Sequence, residues 1–269
     1  MPTFTTDGFS TYYEDTGSGD PIVFICGLSA DLQIWRFQVA ELSKTHRVIT
    51  YDNRGAGRTD APDEPYTIAQ MADDLNALLG YLNVERATIA GWSMGGVIAQ
   101  TLAIAHPHRV GRLLLLGSFA APDGYLNAAI SNWLNVHRSN LSDEQVVRHA
   151  ARLVYSPALA NRPKVYEAYI QMMLSNPYRQ TDHGFFRQAA ALLAYAAPDR
   201  LSSLAALPTA VLVGEDDQLT PPYLSKQLVE VIPGASLHVL PAAHSGFVER
   251  PEDWTAAIRN ALQGTRQMQ

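Results

Sequence analysis

The chain has one cysteine, Cys26, among 269 residues, so no internal disulfide can form and stability must come from the core. It lacks an excess of positive charge. Its 26 acids against 20 Lys and Arg leave a formal net charge of −6, which disfavours nucleic acid and an anionic membrane surface, since both want a basic face. No uninterrupted apolar run approaches the roughly 20 residues of a membrane span. The opening Met1-Pro2-Thr3-Phe4-Thr5-Thr6-Asp7 has neither a basic start nor an apolar run. No signal peptide is therefore expected, and a cytoplasmic location is. Without a leader, the sequon Asn140-Leu141-Ser142 reads as chance. There are no internal repeats and no low-complexity segments. The eight histidines show no helical metal-ligand spacing such as His-Glu-x-x-His, so no metal is expected. What is abundant is apolar: 47% hydrophobic residues support a sizeable core, and the length suits one large α/β domain with room for an inserted lobe.

The stretch Thr88-Ile89-Ala90-Gly91-Trp92-Ser93-Met94-Gly95-Gly96 organises the rest. A short β-branched run leads into Gly91, and the apolar Val97–Ala105 reads as a buried helix. Strand, tight turn and helix are the context in which Gly-x-Ser-x-Gly becomes a nucleophile elbow. Such a turn strains the Ser93 backbone and presents its hydroxyl above the sheet, while Gly91 and Gly95 let the two arms pass. The helix N-terminus places free N–H groups where an oxyanion would form. The competing reading is that Ser93 merely caps the helix.

Along the chain, a hairpin is expected about Asp7-Gly8, between Thr3–Thr6 and Ser10–Glu14. Pro21–Cys26 reads as a strand buried on both faces, Ile34–Leu42 as a helix and Arg47–Tyr51 as a strand. A polar, glycine-rich loop follows, Asp52 to Asp60. Thr67 and Gln70 signal a capping box ahead of a helix whose buried face is Ile68, Met71, Leu75, Leu78, Leu79 and Leu82. Ala87–Ala90 and Val110–Leu116 are strands. This alternation predicts a mostly parallel central sheet flanked by helices. It breaks from about Ala120 to Pro198, where no strand signal occurs. Helices are expected over Tyr125–His137, from the Ser142/Gln145 box to about Tyr155, over Lys164–Leu174 after Pro163, and from Thr181 to about Tyr195. Alternation then resumes with the strand Thr209–Val213, the helix Pro222–Ile232, the strand Ser236–Leu240 and the helix Pro251–Leu262. The expected division is a core of 1–119 and 199–269 with a helical insertion of 120–198.

A serine hydroxyl needs an adjacent base, and the base an orienting acid. In open α/β sheets such groups gather beyond the C-terminal ends of strands. After the strand ending at Val213 come Glu215, Asp216 and Asp217; after the strand ending at Leu240 comes His244. Serine, acid, histidine is the order expected after an elbow. The other histidines have simpler readings: His238 lies in a strand, His46 precedes one, His106 and His108 flank a helix end, and His137, His149 and His183 fall in the insertion.

With these residues in view, the sequence resembles the α/β-hydrolase family over essentially its whole length. The resemblance rests on Gly91-Trp92-Ser93-Met94-Gly95-Gly96, Asp52-Asn53-Arg54-Gly55-Ala56-Gly57, Gly214-Glu215-Asp216-Asp217 with Pro221, and His244 with Glu249 and Pro251. It implies an α/β-hydrolase fold with a helical cap, Asp217 as the acid and His244 as the base. It also implies an oxyanion hole built from the Met94 and Leu28 N–H groups. The family's usual His-Gly before the second donor is here Cys26-Gly27, which removes a bracing polar side chain; Cys26 itself reads as a small buried apolar residue. The implied chemistry is acyl transfer with no cofactor: Ser93 attacks a carbonyl, His244 shuttles the proton, and Asp217 holds the imidazole.

Aromatic and methionine residues crowd the insertion, and Trp133, Tyr169, Met173 and Phe186, with Trp92 beside the nucleophile, are the candidate substrate contacts. The elbow is similar to that of pimeloyl-ACP methyl ester esterases. The run Trp35-Arg36-Phe37-Gln38-Val39 and the loop Asp52-Asn53-Arg54-Gly55 look more like 3-oxoadipate enol-lactonases. The expected activity is a serine carboxylesterase acting on an ester, lactone or thioester. A C–C hydrolase or cofactor-free perhydrolase on the same triad is an alternative, as is a non-catalytic small-molecule receptor. The expected partner is a small ester or acyl substrate, free or carrier-bound. A carrier protein would need a basic patch, for which Arg138, Arg148, Arg152, Arg162 and Lys164 are available.

Overall fold

The computed structural model describes residues 2–6, 8–196 and 200–264. Its strands are β1 (Thr3–Thr6), β2 (Phe9–Thr16), β3 (Pro21–Ile25), β4 (Arg47–Tyr51), β5 (Ala87–Trp92), β6 (Val110–Leu116), β7 (Thr209–Gly214) and β8 (Ser236–Leu240). They form one sheet in the order β1-β2-β4-β3-β5-β6-β7-β8. β1 and β2 pair antiparallel, as do β2 and β4, and every later pair is parallel. The central strands are apolar at successive positions because helices cover both sheet faces. Ile22 to Ile25, Leu113 to Leu116 and Val211 to Val213 are all essentially inaccessible. The hairpin expected about Asp7-Gly8 joins β1 to β2, although Asp7 lies outside the described residues.

The expected helices appear with shifted ends. The segment expected as one helix from Ile34 is a 3-10 turn, Leu32–Trp35, followed by α1 (Arg36–Leu42). The apolar face read from the sequence is the buried face of α2 (Ile68–Tyr81). Its capping box is half made: Gln70 N donates to Thr67 Oγ1 at 3.0 Å, but the Gln70 side chain turns to Glu64. α3 (Met94–Ala105) starts directly after Ser93, three residues before the apolar run that marked it.

Between β6 and β7 the described residues hold helices and no strand. These are α4 (Gly124–Arg138), α5 (Asp143–Val154), α6 (Pro157–Ala160), α7 (Pro163–Leu174) and α8 (Asp182–Leu193). The Ser142/Gln145 box that opens α5 is complete. The expected boundary at 198/199 lies outside the described residues. The short α6 was not visible in the sequence, being a single turn. After β7 follow α9 (Pro222–Val231), the short α10 (Gly246–Glu249) and α11 (Pro251–Gln263).

Two features of this sheet position the site. The chain runs from β3 to its neighbour β4 and then crosses to β5 on the other side of β3. Such a switch opens a crevice beyond the C-terminal ends of the two strands. The register Ile25↔Gly91 brings those ends level, so the loop at Gly27-Leu28 and the turn at Ser93 lie side by side.

The loop after β4 is a strap and not a surface excursion. Asp52, wholly buried, accepts from Leu32 N at 2.8 Å and from Arg58 N at 2.9 Å, and so ties this loop to the segment after β3. Gly57, at φ +56°, sits where any Cβ would strike the Asp52 carboxyl. Burial pushes the Asp52 carboxyl up to about 6. A carboxyl that holds its proton more tightly folded than unfolded favours folding at low pH, and that contribution is lost as pH rises through about 6. The shift predicts that Asp52→Asn gains stability relative to wild type by roughly 2 kcal/mol between pH 4 and pH 7. Paired urea titrations at each pH would show this, whereas a pH-independent difference would contradict it.

Candidate active site

Ser93 stands between β5 and α3 with φ +54° and ψ −119°, a region that costs a non-glycine residue on the order of 1–3 kcal/mol. Its side chain makes no cap bond to α3. Thr67, Asp123, Ser142, Ser156 and Thr181, which precede other helices, each do accept such a bond. The capping explanation for this serine therefore fails, and its hydroxyl is left for other work.

The backbone around Ser93 is held on every side. Ser93 N donates to Leu116 O at 2.9 Å, while Gly96 N and Ser118 Oγ donate to Ser93 O at 2.9 and 3.0 Å. A Cβ on Gly91 would strike the backbone of Gly95, and one on Gly95 would strike the Ile25 carbonyl. A Cβ on Gly27 would come within 3.1 Å of the Ser93 Cβ, so the loop after β3 is packed directly on the elbow.

His244 follows β8 and is almost wholly buried. Its Nδ1 lies 2.8 Å from Asp217 Oδ2, which leaves Nε2 as the nitrogen not engaged by a carboxylate. Of the three acids in the loop after β7, Glu215 and Asp216 are exposed and Asp217 is buried. Asp217 Oδ1 accepts from Leu219 N and Thr220 N at 3.0 and 2.8 Å. Thr220 Oγ1 lies 2.8 Å from Asp217 Oδ2, 2.9 Å from Gly117 O and 3.0 Å from His244 Nδ1. These bonds fix the direction of the carboxyl group. Gly117, at φ +48°, leaves the pair its space: a Cβ there would lie 3.2 Å from both Asp217 Oδ2 and His244 Nδ1.

The two expected oxyanion donors lie on the segments that pack together at the elbow. Neither Met94 N nor Leu28 N has a protein acceptor among the described residues. The missing family histidine before Gly27 is compensated from another direction, because Asn53 Nδ2 donates to the Cys26 carbonyl at 2.9 Å. Cys26 is inaccessible, and burial pushes its thiol well up, which keeps it protonated.

Ser93 and His244 share a tight pocket of about 20 Å³ whose other walls are apolar, among them Phe119, Ile130, Leu192 and Leu219. Leu28, Trp92, Trp133 and Val154 line both this pocket and a larger cleft of about 740 Å³ that runs out beneath α5 and α7. Trp92 does double work: its Nε1 donates to the His244 carbonyl at 2.9 Å, and its ring lies 5.0 Å from the imidazole. Met173 lines the outer cleft. Tyr169 and Phe186 line neither cavity, against expectation. Tyr169 packs on Tyr155 and turns its hydroxyl to Val248 O, and Phe186 packs against Phe185 and the Arg138 guanidinium. Both are aromatic residues on the helices between β6 and β7, and composition alone cannot say which face of a helix they occupy. Among the other histidines, His137 reaches the outer cleft, where Asp182 Oδ1 lies 2.8 Å from its Nδ1 and Phe185 stacks on its ring.

The helices between β6 and β7 are clamped to the histidine loop. Ser245 N donates to Val154 O at 2.9 Å. Glu249, at the end of α10, accepts from Ser156 N and Ala243 N at 3.1 and 3.3 Å and from Ser156 Oγ at 2.5 Å. Burial raises the Glu249 carboxyl, and these donors pull it back down. Thr220, Asn53, Ser118 and Glu249 are thus supporting residues that sequence reasoning did not assign. Thr220 had a local signal, an Asp followed three residues later by Thr ahead of a proline. The partners of Asn53 and Ser118 are remote in sequence.

Residues 20–251 match the family model described as the alpha/beta hydrolase fold. The chain is 33% identical over 228 residues, 84% of each chain, to a protein of Azorhizobium caulinodans assigned provisionally as the carbamate hydrolase RutD. Among solved structures it superimposes on the enol-lactonase from Burkholderia xenovorans LB400 with a TM-score of 0.86 at 27% identity, covering 97% of this chain and 100% of that one. The thermophilic esterase from Thermogutta terrifontis gives 0.81 at 31% identity, with 97% and 96% covered. The chain belongs to the alpha/beta hydrolase fold family, and the family and these relatives together support hydrolase activity.

The clamp generates its own test. Glu249→Ala leaves two backbone N–H groups without an acceptor and is expected to lose about 1–3 kcal/mol of stability, while Glu249→Gln retains an acceptor and loses less. Denaturant midpoints of the two variants measure this, and an alanine variant as stable as wild type would remove Glu249 from the account.

Proposed function

We propose that the protein is a serine hydrolase that cleaves a carboxylic ester or lactone through an acyl-enzyme on Ser93. The observation that carries this reading is the strained, uncapped Ser93 sharing one apolar pocket with the buried His244–Asp217 pair. His244 Nε2 accepts the Ser93 Oγ proton as the oxygen attacks the carbonyl, and the negative charge passes to the former carbonyl oxygen. Met94 N–H and Leu28 N–H stabilise that oxyanion. His244 returns the proton to the leaving oxygen, which departs, and then activates water to release the acid. Asp217, bound by Thr220 and two backbone N–H groups, fixes the imidazole with Nδ1 toward the carboxylate and stabilises the imidazolium. Dry apolar walls strengthen each of these interactions.

A free substrate fits the cleft better than one on a carrier protein. Of the five candidate basic residues, Arg148 is paired with Glu144 and Glu167, Arg152 donates to Gln218, and Arg138 stacks over Phe186. What remains, Arg162 and Lys164, is too sparse for a basic docking face. The tight pocket at Ser93 favours short acyl groups.

p-Nitrophenyl esters from acetyl to dodecanoyl test the reading. Wild type should turn over the short members best. Ser93→Ala should lose several orders of magnitude in kcat, as removal of a triad nucleophile does. Full activity in Ser93→Ala would sink the mechanism, and a preference for octanoyl or longer would sink the pocket argument. Thr220→Val, which keeps the side-chain shape but removes the hydroxyl from Asp217, should lower kcat about 10-fold with little change in KM. An unchanged kcat would remove Thr220 from the catalytic support.

A further inference from the structure

The peptide unit between His244 and Ser245 is gripped at both ends. Its carbonyl accepts from Trp92 Nε1 at 2.9 Å, and its N–H donates to Val154 O at 2.9 Å. The two grips belong to different parts of the fold: Trp92 ends β5, and Val154 ends α5 in the helical layer. His244 and Ser245 are each 1% exposed, so both bonds lie out of reach of solvent. A planar peptide unit fixed at both ends leaves the His244 side chain only its own two torsions. Asp217 then holds one ring nitrogen at 2.8 Å.

The Trp92 side chain touches all three segments that meet at the site. It directly precedes Ser93 in the chain. A Cβ on Gly27 would come within 3.0 Å of Trp92 Cε3, so the indole packs on the loop that leads to Leu28. Its N–H reaches the His244 carbonyl. The ring meets Phe247 edge-on at 5.2 Å, and Phe247 stacks on Trp35 at 4.3 Å, so the indole does not swing away without opening this stack. The candidate nucleophile and the grip on its base thus sit on consecutive residues, whose Cα atoms are about 3.8 Å apart. Any displacement at the end of β5 carries both.

We propose that Trp92 is a positioning residue for His244. Its indole N–H, opposed by the Val154 carbonyl, orients the 244–245 peptide unit so that the imidazole keeps Nδ1 on Asp217 and presents Nε2 to Ser93. This rests on the hydrolase reading of the same site. Trp92 itself moves no proton. Removal of its N–H leaves Ser93, Asp217 and the pocket walls in place and lets the imidazole tilt. A misplacement on the order of 1 Å can cost about 10²-fold in rate. The buried carbonyl also loses its donor, which lowers stability, so rate and stability are read separately.

Replacing Trp92 by 3-benzothienylalanine exchanges the indole N–H for sulfur and keeps the shape of the ring. With p-nitrophenyl acetate, kcat should fall about 10- to 100-fold while KM stays nearly unchanged. Trp92→Phe, which also lacks the donor, should lose at least as much. The same exchange at Trp254 is the control, because Trp254 Nε1 donates to Pro241 O at 3.1 Å in the same loop. That protein should lose similar resistance to denaturant and keep its kcat. A second readout needs no substrate. The Nδ1–H proton of His244, assigned by its loss in His244→Gln, should give a far-downfield NMR resonance in wild type. It should broaden and move upfield when the Trp92 donor is removed, and stay in place when the Trp254 donor is removed. An unchanged kcat with an unmoved resonance, a loss carried by KM alone, or equal kcat losses at both tryptophans overturns the positioning role and leaves the hydrolase reading standing. A resonance that responds as stated in a protein that turns over no ester overturns the hydrolase reading and leaves the positioning role standing.

Discussion

The level ends of β3 and β5 are the constraint on which everything else depends. They force the elbow against the loop after β3 with only glycine between them, since Gly27, Gly91 and Gly95 each sit where a Cβ would be crowded. Ser93 is held at positive φ in that space by bonds to Leu116, Gly96 and Ser118. Backbone strain of this kind persists only where the surroundings over-determine it. Ser29 and Ala242, two of the three other non-glycine residues at positive φ among the described residues, lie in the segments that carry Leu28 and His244. Strain is concentrated where three loops meet, and the regular sheet below holds it.

The second layer is the coupling between the helices over the site and the loops beneath. The histidine loop is bound to the segment after α5 through Val154, Ser156 and Glu249. The loop after β4 receives Gln180 at Gly55 O and Gln188 at Arg54 O, both at 2.8 Å. The same loop braces the Cys26 carbonyl through Asn53. The helical layer is therefore attached on one side to the loop that carries His244 and on the other to the loop that braces the Cys26 carbonyl. A shift of that layer would be felt on both sides of Ser93.

Much of the fold was legible because the signals were local. The apolar runs of β3, β6 and β7, the face of α2 and the Ser142/Gln145 box each depend on neighbouring residues only. Ser93 and His244 stand out because strand-end loops are few and each carries a short polar motif, whereas Asp217 is separated from Glu215 and Asp216 only by the family resemblance. Other features depend on contacts between residues far apart and left no trace in the sequence. Asp52 reads in the sequence as part of a polar, glycine-rich loop and is a buried strap to Leu32. Tyr169 and Phe186 looked like pocket walls and are packing residues, because nothing in the sequence fixes the rotation of a cap helix.

The central claim is that the architecture makes Ser93 the reactive nucleophile with His244 as its base. Labelling with an alkyl fluorophosphonate, followed by intact-protein mass measurement and peptide mapping, tests it most directly. The account predicts one adduct, on the peptide containing Ser93, formed much more slowly in His244→Gln. Absence of an adduct in wild type, labelling at another residue, or a rate unaffected by His244→Gln would contradict it.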